Sequence, residues 1–258
     1  MRYSPINYLL PVIVGAMYIL LYVPIVLLVI LSCNRAPFFY TWGGFSLHWY
    51  HELFQSAEVW ITLQNSLIVA FAAVILSITM AILLAFYVQQ RYMKRISLLF
   101  YGTLAAPEIV LAVGLLSGFV YSALPLGLTT LIVGHTLIGL GYAVPMIHSK
   151  LQEMDEALVQ AAMDLGASRS YALYSVVLPF LMPTILGAAL LVFIISFDDF
   201  IIAFFCAGPS AQTLPLYIFS LIRSGATPVI NALSTILLLA SGLLVLLYTS
   251  MTVRRGAR

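Results

Sequence analysis

Residues 9–32 read LLPVIVGAMYILLYVPIVLLVILS, a run with no Asp, Glu, Lys or Arg. A helix rises about 1.5 Å per residue and the hydrocarbon of a bilayer is about 30 Å thick, so roughly 20 apolar residues cross it. The run shows no apolar/polar alternation, which selects a helix over a transmembrane β-strand. Arg2 precedes it, but the run is longer than a secretory h-region and no A-x-A site follows, so it reads as a retained span. Working outward, five more runs of this kind lie near 65–88, 96–124, 127–148, 179–206 and 229–253. The expected fold class is an all-α membrane protein with six transmembrane helices, residues 1–258 forming a single transmembrane domain.

The composition excludes most other classes. Of 258 residues, 63% are hydrophobic and 8% are charged, with a mean hydropathy of +1.08. Soluble domains carry about 25% charged residues, so a water-facing surface cannot be built from this chain. Eleven Lys and Arg spread along the sequence make no phosphate-tracking stripe, so no nucleic-acid partner is expected. Two cysteines cannot build a metal cage or a disulfide framework; Cys33 and Cys206, both near outer span ends, are read as unpaired small residues, a disulfide between them being the alternative. Basic residues accumulate on the cytoplasmic side of membranes. With both termini inside, that side holds Arg2, Arg91, Lys94, Arg95, Lys150, Arg169, Arg254, Arg255 and Arg258, and the outside only Arg35 and Arg223. The two lysines follow Met93 and Ser149, so no Gly-Lys-Ser/Thr phosphate loop exists and the chain is expected to be no ATPase itself.

Two outer segments carry weaker information. The loop after the first span holds Tyr40, Trp42, Trp49, Tyr50 and Trp60 around a Gly43-Gly44 turn, which suits an interfacial belt or a docking surface. The segment after the fifth span has an apolar stretch at 214–222 that suits a short interfacial helix.

The segment between spans four and five, 149–178, is the longest cytoplasmic connection, and with its flank it contains EMDEALVQAAMDLGASRSYALYSVVLP at 153–179. Asp155 is a good N-cap and Glu156 suits the positive helix end. Leu158, Ala161, Ala162 and Leu165 recur at one helix face. Gly166 suits a C′ position with φ > 0, and Ser168 suits the cap of a second helix. The small side chains on that face would let a partner groove approach; packing on the chain's own helix ends is the equal alternative.

This loop resembles that of the inner-membrane permeases of ABC importers, which carry E-A-A-x-x-x-G and then a stretch ending in L-P. Here the residues are Gln160-Ala161-Ala162-Met163-Asp164-Leu165-Gly166-Ala167, ending in Leu178-Pro179, with Gln160 in place of the family's Glu. The resemblance spans nearly the whole chain and is strongest to the PotC-type subunit of spermidine/putrescine importers. It is carried by Leu21-Tyr22-Val23-Pro24-Ile25, Pro107-Glu108-Ile109-Val110, Ser196-Phe197-Asp198-Asp199, and Gly208-Pro209 followed by Leu214-Pro215-Leu216. It implies a single ABC importer transmembrane domain in a bacterial inner membrane. It also implies that Leu158, Gln160, Ala161, Ala162, Asp164, Leu165, Gly166 and Ala167 form a coupling helix seated in an ATPase. The implied partners are a second, PotB-like permease, two PotA-like ATPase subunits holding ATP and Mg, and a PotD-like periplasmic binding protein. No cofactor is expected in this chain.

Three acids fall inside expected spans: Glu108, Asp198 and Asp199. Each costs on the order of 3 kcal/mol at the bilayer centre, so each is expected to face protein or a water-filled path. No Lys or Arg lies at their depth in the sequence, which favours a cationic substrate. Glu108 lies about 18 Å along a helix from Ile96, near mid-membrane, with Pro107 expected to kink that helix. Asp198 and Asp199 point about 100° apart. Val192, Ser196, Asp199, Ala203 and Cys206 make a small or polar stripe, so Asp199 is expected to line the path and Asp198 to contact a neighbouring helix, the reverse staying open. A polyamine needs spaced carboxylates with aromatics between them, for which Tyr101, Tyr121 and Phe197 are candidates. His135 reads as a bonded interhelical residue, with a protonation switch as the alternative, and Gly114-x-x-x-Gly118 as a helix-packing motif. A permease for another solute remains an alternative. So do a cation–proton secondary transporter, which would leave the Ala-Ala-x-x-x-Gly loop without a role, and an intramembrane hydrolase, which would lack metal-ligand motifs.

Overall fold

The structure is a computed structural model that describes the backbone of residues 6–36, 41–87, 90–225 and 228–256. The sequence readings on Arg2, Tyr40 and Arg258 lie outside the described residues, as do those on the side chains of Arg91, Lys94, Arg254 and Arg255. Helices follow in order: α1 (Ile6–Ser32), α2 (His48–Gln55), α3 (Ala57–Tyr87), α4 (Gln90–Ala105), α5 (Glu108–Tyr121), α6 (Leu128–Gln152), α7 (Glu156–Asp164) and α8 (Arg169–Ala172). A π-helical turn, Leu173–Val177, leads into α9 (Leu178–Asp198), then α10 (Ile201–Cys206), α11 (Leu214–Ser224) and α12 (Pro228–Gly256). Among the described residues, four helical stretches are long and apolar enough to cross a membrane: Leu10–Ser32, Ala57–Phe86, Leu128–Gln152 and Arg169–Asp198. Arg95–Ala105 and Glu108–Tyr121 make a fifth if that bent pair is one span. The sixth expected span corresponds to α12, whose side chains beyond 243 lie outside the described residues.

Two expectations are corrected. The run 96–124 is two helices meeting at 109°, so a depth counted along one straight helix does not hold for Glu108. Pro107 has no N–H for the ladder, and its ψ of 130° turns the chain out of the helix. The run 179–206 is also broken, at Asp199, while its helix begins ten residues early at Arg169. The π-helical turn precedes Pro179, which cannot donate to the carbonyl of Ser175 as a regular helix requires. Around Gly114 and Gly118, no described residue of another element lies within 4 Å of where a Cβ would stand, which leaves that small-residue face open.

The chain divides into two compact units, Met1–Trp60 with Ile218–Arg258, and Ile61–Tyr217. In the first, α12 packs on α1 and α2. Buried Asn34 organises the loop after α1: its Nδ2 donates to the Thr41 carbonyl at 2.7 Å, and its Oδ1 accepts from the amides of Ala36 and Gly43. Gly44 takes φ +95°, as the Gly-Gly turn requires. Trp42, Phe45 and Leu47 stay exposed, while Trp49 donates to the Asn34 carbonyl.

In the second unit α6 is the buried element. Its Leu140, Ala143, Val144 and Ile147 join Ile78 and Ala81 of α3 and Leu181, Ile185 and Ala188 of α9 in one core. Its Leu131 joins a second core with Val69, Ala112, Ile202, Ala203 and Cys206. Lipid offers no hydrophobic drive for helix association, so close backbone approach and hydrogen bonds must hold such a bundle. Gly139 supplies the approach: a Cβ there would strike Ser77 Oγ and Val192 Cγ1. Ser77 Oγ donates to the Thr136 carbonyl at 3.1 Å beside it. Both cysteines are free thiols.

Candidate functional site

The two helix breaks of the second unit carry the acids. After Pro107, α5 starts on Glu108, where a carboxylate favours the positive end of the helix. After α9, Asp199 leaves helical geometry at ψ 126° and folds its carboxylate back over the first turn of α10. Oδ2 accepts from the Ala203 amide at 3.0 Å and Oδ1 from the Ile202 amide at 3.4 Å. These are N–H groups that a helix start leaves without intrahelical partners. Helices α5 and α10 pack together, and the Glu108 carboxyl comes within hydrogen-bonding reach of Asp199. From α6, His135 Nε2 sits 3.4 Å from Asp199 Oδ2, with the two side chains 2% and 3% exposed. His135 Nδ1 lies 2.7 Å from Ser196 Oγ on the last turn of α9. His135 is therefore bonded between helices, as the sequence reading expects. Glu108 is exposed on this chain.

A cavity of about 240 Å³ opens beside Glu108, lined by Thr103, Leu104, Ala106, Tyr142 and Ile195 among others. Tyr142 escaped the sequence reading because one tyrosine in an apolar helix carries no pattern. Tyr101, Tyr121 and Phe197 do not line this cavity. Tyr101 and Tyr121 are exposed, and Phe197 stacks on Phe193 at 5.7 Å. The two aspartates have different surroundings. Asp198 is exposed, and Asp199 makes the contacts to neighbouring helices. The stripe Val192, Ser196, Asp199, Ala203 and Cys206 is buried inside the unit. The break is the reason: Asp199 turns back onto α10 instead of continuing a helix face. Among the described residues, no three of His, Cys, Asp and Glu converge in a metal-holding group.

The hairpin between α6 and α9 forms a second region. Asp155 caps α7, accepting from the Ala157 amide at 2.9 Å. At the other end the Ala167 amide donates to Ala162 and the Gly166 amide to Met163, a Schellman arrangement with Gly166 at φ +92°. Ser168 accepts from the Tyr171 amide at 3.3 Å and starts α8. One face of α7, Val159, Gln160 and Met163, lines a cleft of about 310 Å³ with Met154, Arg169 and Leu173. The opposite face is open: Leu158 is 53% and Leu165 91% exposed. Gln160, Ala161, Asp164 and Gly166 are exposed and Ala162 and Ala167 half-buried. The chain's own helix ends thus take the Val159–Met163 side and leave the Leu158–Leu165 side uncovered.

Comparison with known proteins bears on both regions. The profile of the family described as binding-protein-dependent transport system inner membrane component matches residues 75–254. The spermidine/putrescine transport system permease protein PotC of Haemophilus influenzae is 36% identical over 233 residues, covering 89% of this chain and 91% of that one. The putrescine transport system permease protein PotI of Escherichia coli K12 is 35% identical, covering 86% and 83%. A bacterial alginate ABC transporter, solved in complex with an alginate-pentasaccharide-bound periplasmic protein, contains a chain with the same fold. Its TM-score is 0.69 at 19% identity, over 96% of this chain and 93% of that one.

Proposed function

Given that the chain belongs to the family of binding-protein-dependent transport system inner membrane components, we propose that it is a permease subunit of an ATP-driven importer. It forms half of the translocation path for a cationic solute, a polyamine such as spermidine or putrescine. The fold alone does not name the cargo, since a chain of the same fold serves an alginate transporter. The observation that carries the reading is the approach of Glu108 to Asp199 at paired helix breaks. Two carboxylates at that range need a proton or a cation between them. A primary ammonium supplies the charge and three donors, and Leu104, Ile195 and Tyr142 offer apolar and aromatic wall to the methylenes beside it. Asp198, Tyr101, Tyr121 and Phe197 belong to the path as lesser contacts, their exposed surfaces available to substrate or to the second permease.

The open face of α7 supports the other half of the reading: Leu158, Ala161, Ala162 and Leu165 enter a groove on an ATPase subunit, with Gln160, Asp164, Gly166 and Ala167 around them. ATP and Mg are held by that subunit. The whole assembly has a second permease, two ATPases and a periplasmic binding protein. The chain crosses a bacterial inner membrane six times, with both termini cytoplasmic. The test is uptake of labelled putrescine and spermidine by proteoliposomes holding the complete importer. Glu108→Gln and Asp199→Asn are each expected to lower uptake at least tenfold with assembly intact. Normal uptake by the double variant would sink the assignment of these acids to the cation.

A further inference from the structure

The polar chain Ser196–His135–Asp199 has one loose end. His135 is 3% exposed, and its Nε2 completes no hydrogen bond, although it is aimed at Asp199 Oδ2 from 3.4 Å. Nδ1 is engaged with Ser196 Oγ at 2.7 Å. A buried ring nitrogen left without a partner is costly, so its direction calls for an explanation. A carboxylate only accepts hydrogen bonds, so facing Asp199 favours the tautomer with hydrogen on Nε2, and Ser196 then donates to Nδ1. Asp199 is tied down on its other side by the Ile202 and Ala203 amides. Glu108 approaches from α5. Asp199 is the acid that faces the imidazole, Glu108 acts on it electrostatically from α5, and Ser196 is the uncharged partner on Nδ1.

We propose that His135 is a positioning residue for the cation site: its Nε2–H holds Asp199 so that the carboxylate meets Glu108 across the α5–α10 contact, and it closes to a full hydrogen bond when cargo occupies the pair. The proposal rests on the assignment of Glu108 and Asp199 to the substrate. It gives the imidazole two separable jobs. The Nδ1 bond to Ser196 ties α6 to α9, and the Nε2 donor acts on Asp199.

Side-chain length separates these jobs. His135→Asn places its amide near the Nδ1 position and keeps the Ser196 partner but not the donor to Asp199. His135→Gln reaches the Nε2 position and restores that donor. In the complete reconstituted importer, with putrescine-loaded binding protein at saturation, uptake is measured per assembled complex beside binding-protein-stimulated ATP hydrolysis. His135→Asn is expected to lower uptake about tenfold while ATP hydrolysis stays within about twofold, and His135→Gln to retain a third or more of wild-type uptake. On an Asp199→Asn background, His135→Asn is expected to add no further loss, because a residue acting through another is silent once that one is gone. Equal uptake per complex in the Asn and Gln variants, or additive losses in the double variant, overturns the positioning role. A wild-type rate in Asp199→Asn alone instead overturns the cation-site reading, so the two failures are told apart.

Discussion

Asp198 and Asp199 differ by one position and have different surroundings, because a helix ends between them. Asp199 both accepts from first-turn amides of α10, as a capping side chain does, and carries charge to the site, and substitution can separate the two properties. Asn caps a helix nearly as well as Asp, whereas Ala forfeits about 1 kcal/mol and can cost up to 2. Asp199→Ala is therefore expected to reduce the thermal stability of the purified complex as well as uptake, and Asp199→Asn to reduce uptake while leaving the unfolding midpoint nearly unchanged. Asp198→Asn, at an exposed position, should leave that midpoint within error. Gly166 presents a purely conformational case. No atom lies within 4 Å of where its Cβ would be, but its φ is +92°. Strain alone should make Gly166→Val cost about 1–2 kcal/mol, and Gly166→Asn less, since Asn tolerates the left-handed region. Retention of the ATPase on membranes should follow that order, Gly, Asn, then Val.

Helix α7 has nine residues and no buried side chain, so its own packing adds little to hold it. Isolated helices this short are marginal in water, and the two end motifs supply much of its order. Removing the cap with Asp155→Ala is expected to fray α7 at a cost of about 1 kcal/mol and to weaken ATPase binding without touching the contact face. Ala162→Trp attacks the face itself. Overpacking a fitted groove costs about 1–3 kcal/mol, so the ATPase should be released or its hydrolysis uncoupled from uptake. Gln160→Glu should be tolerated, because Gln160 sits at the exposed rim of the cleft. Full ATPase retention in both Ala162→Trp and Gly166→Val would remove α7 from the joint. Within the bundle, Gly139→Val should fail for a different reason: a side chain there collides with Ser77 and Val192, and α6 cannot then approach α3 and α9.

For the whole molecule, the rival to an ATP-driven permease is a secondary transporter that uses the same acids as proton relays. The open α7 face argues against it, since such a transporter leaves Leu158 and Leu165 in water for no gain. Uptake into proteoliposomes should require ATP and loaded binding protein, and a proton gradient without ATP should drive none. Topology is tested in intact cells, in a background with Cys33 and Cys206 replaced. A cysteine at Leu165 should resist an impermeant thiol reagent until the membrane is opened, and one at Trp42 should react at once.

The sequence by itself determined what depends on local chemistry. Apolar runs of about 20 residues dictate helices because lipid satisfies no backbone group. Asp155, Gly166 and Ser168 dictate the ends of α7 and α8 because caps act within a few residues, and the face Leu158–Leu165 follows from helical periodicity. Pro107 marked a disturbance, but not its size, a 109° break. Asp199 carried no mark at all: Asp-Asp-Phe within an apolar run reads as continuous helix. The break appears only because buried amides of α10, His135 on α6 and Glu108 on α5 converge on one carboxylate. Those partners lie 64 and 91 residues away in the chain. Hydrogen bonding at that separation depends on three-dimensional packing, so only the tertiary structure decided which acid is held and which is left exposed.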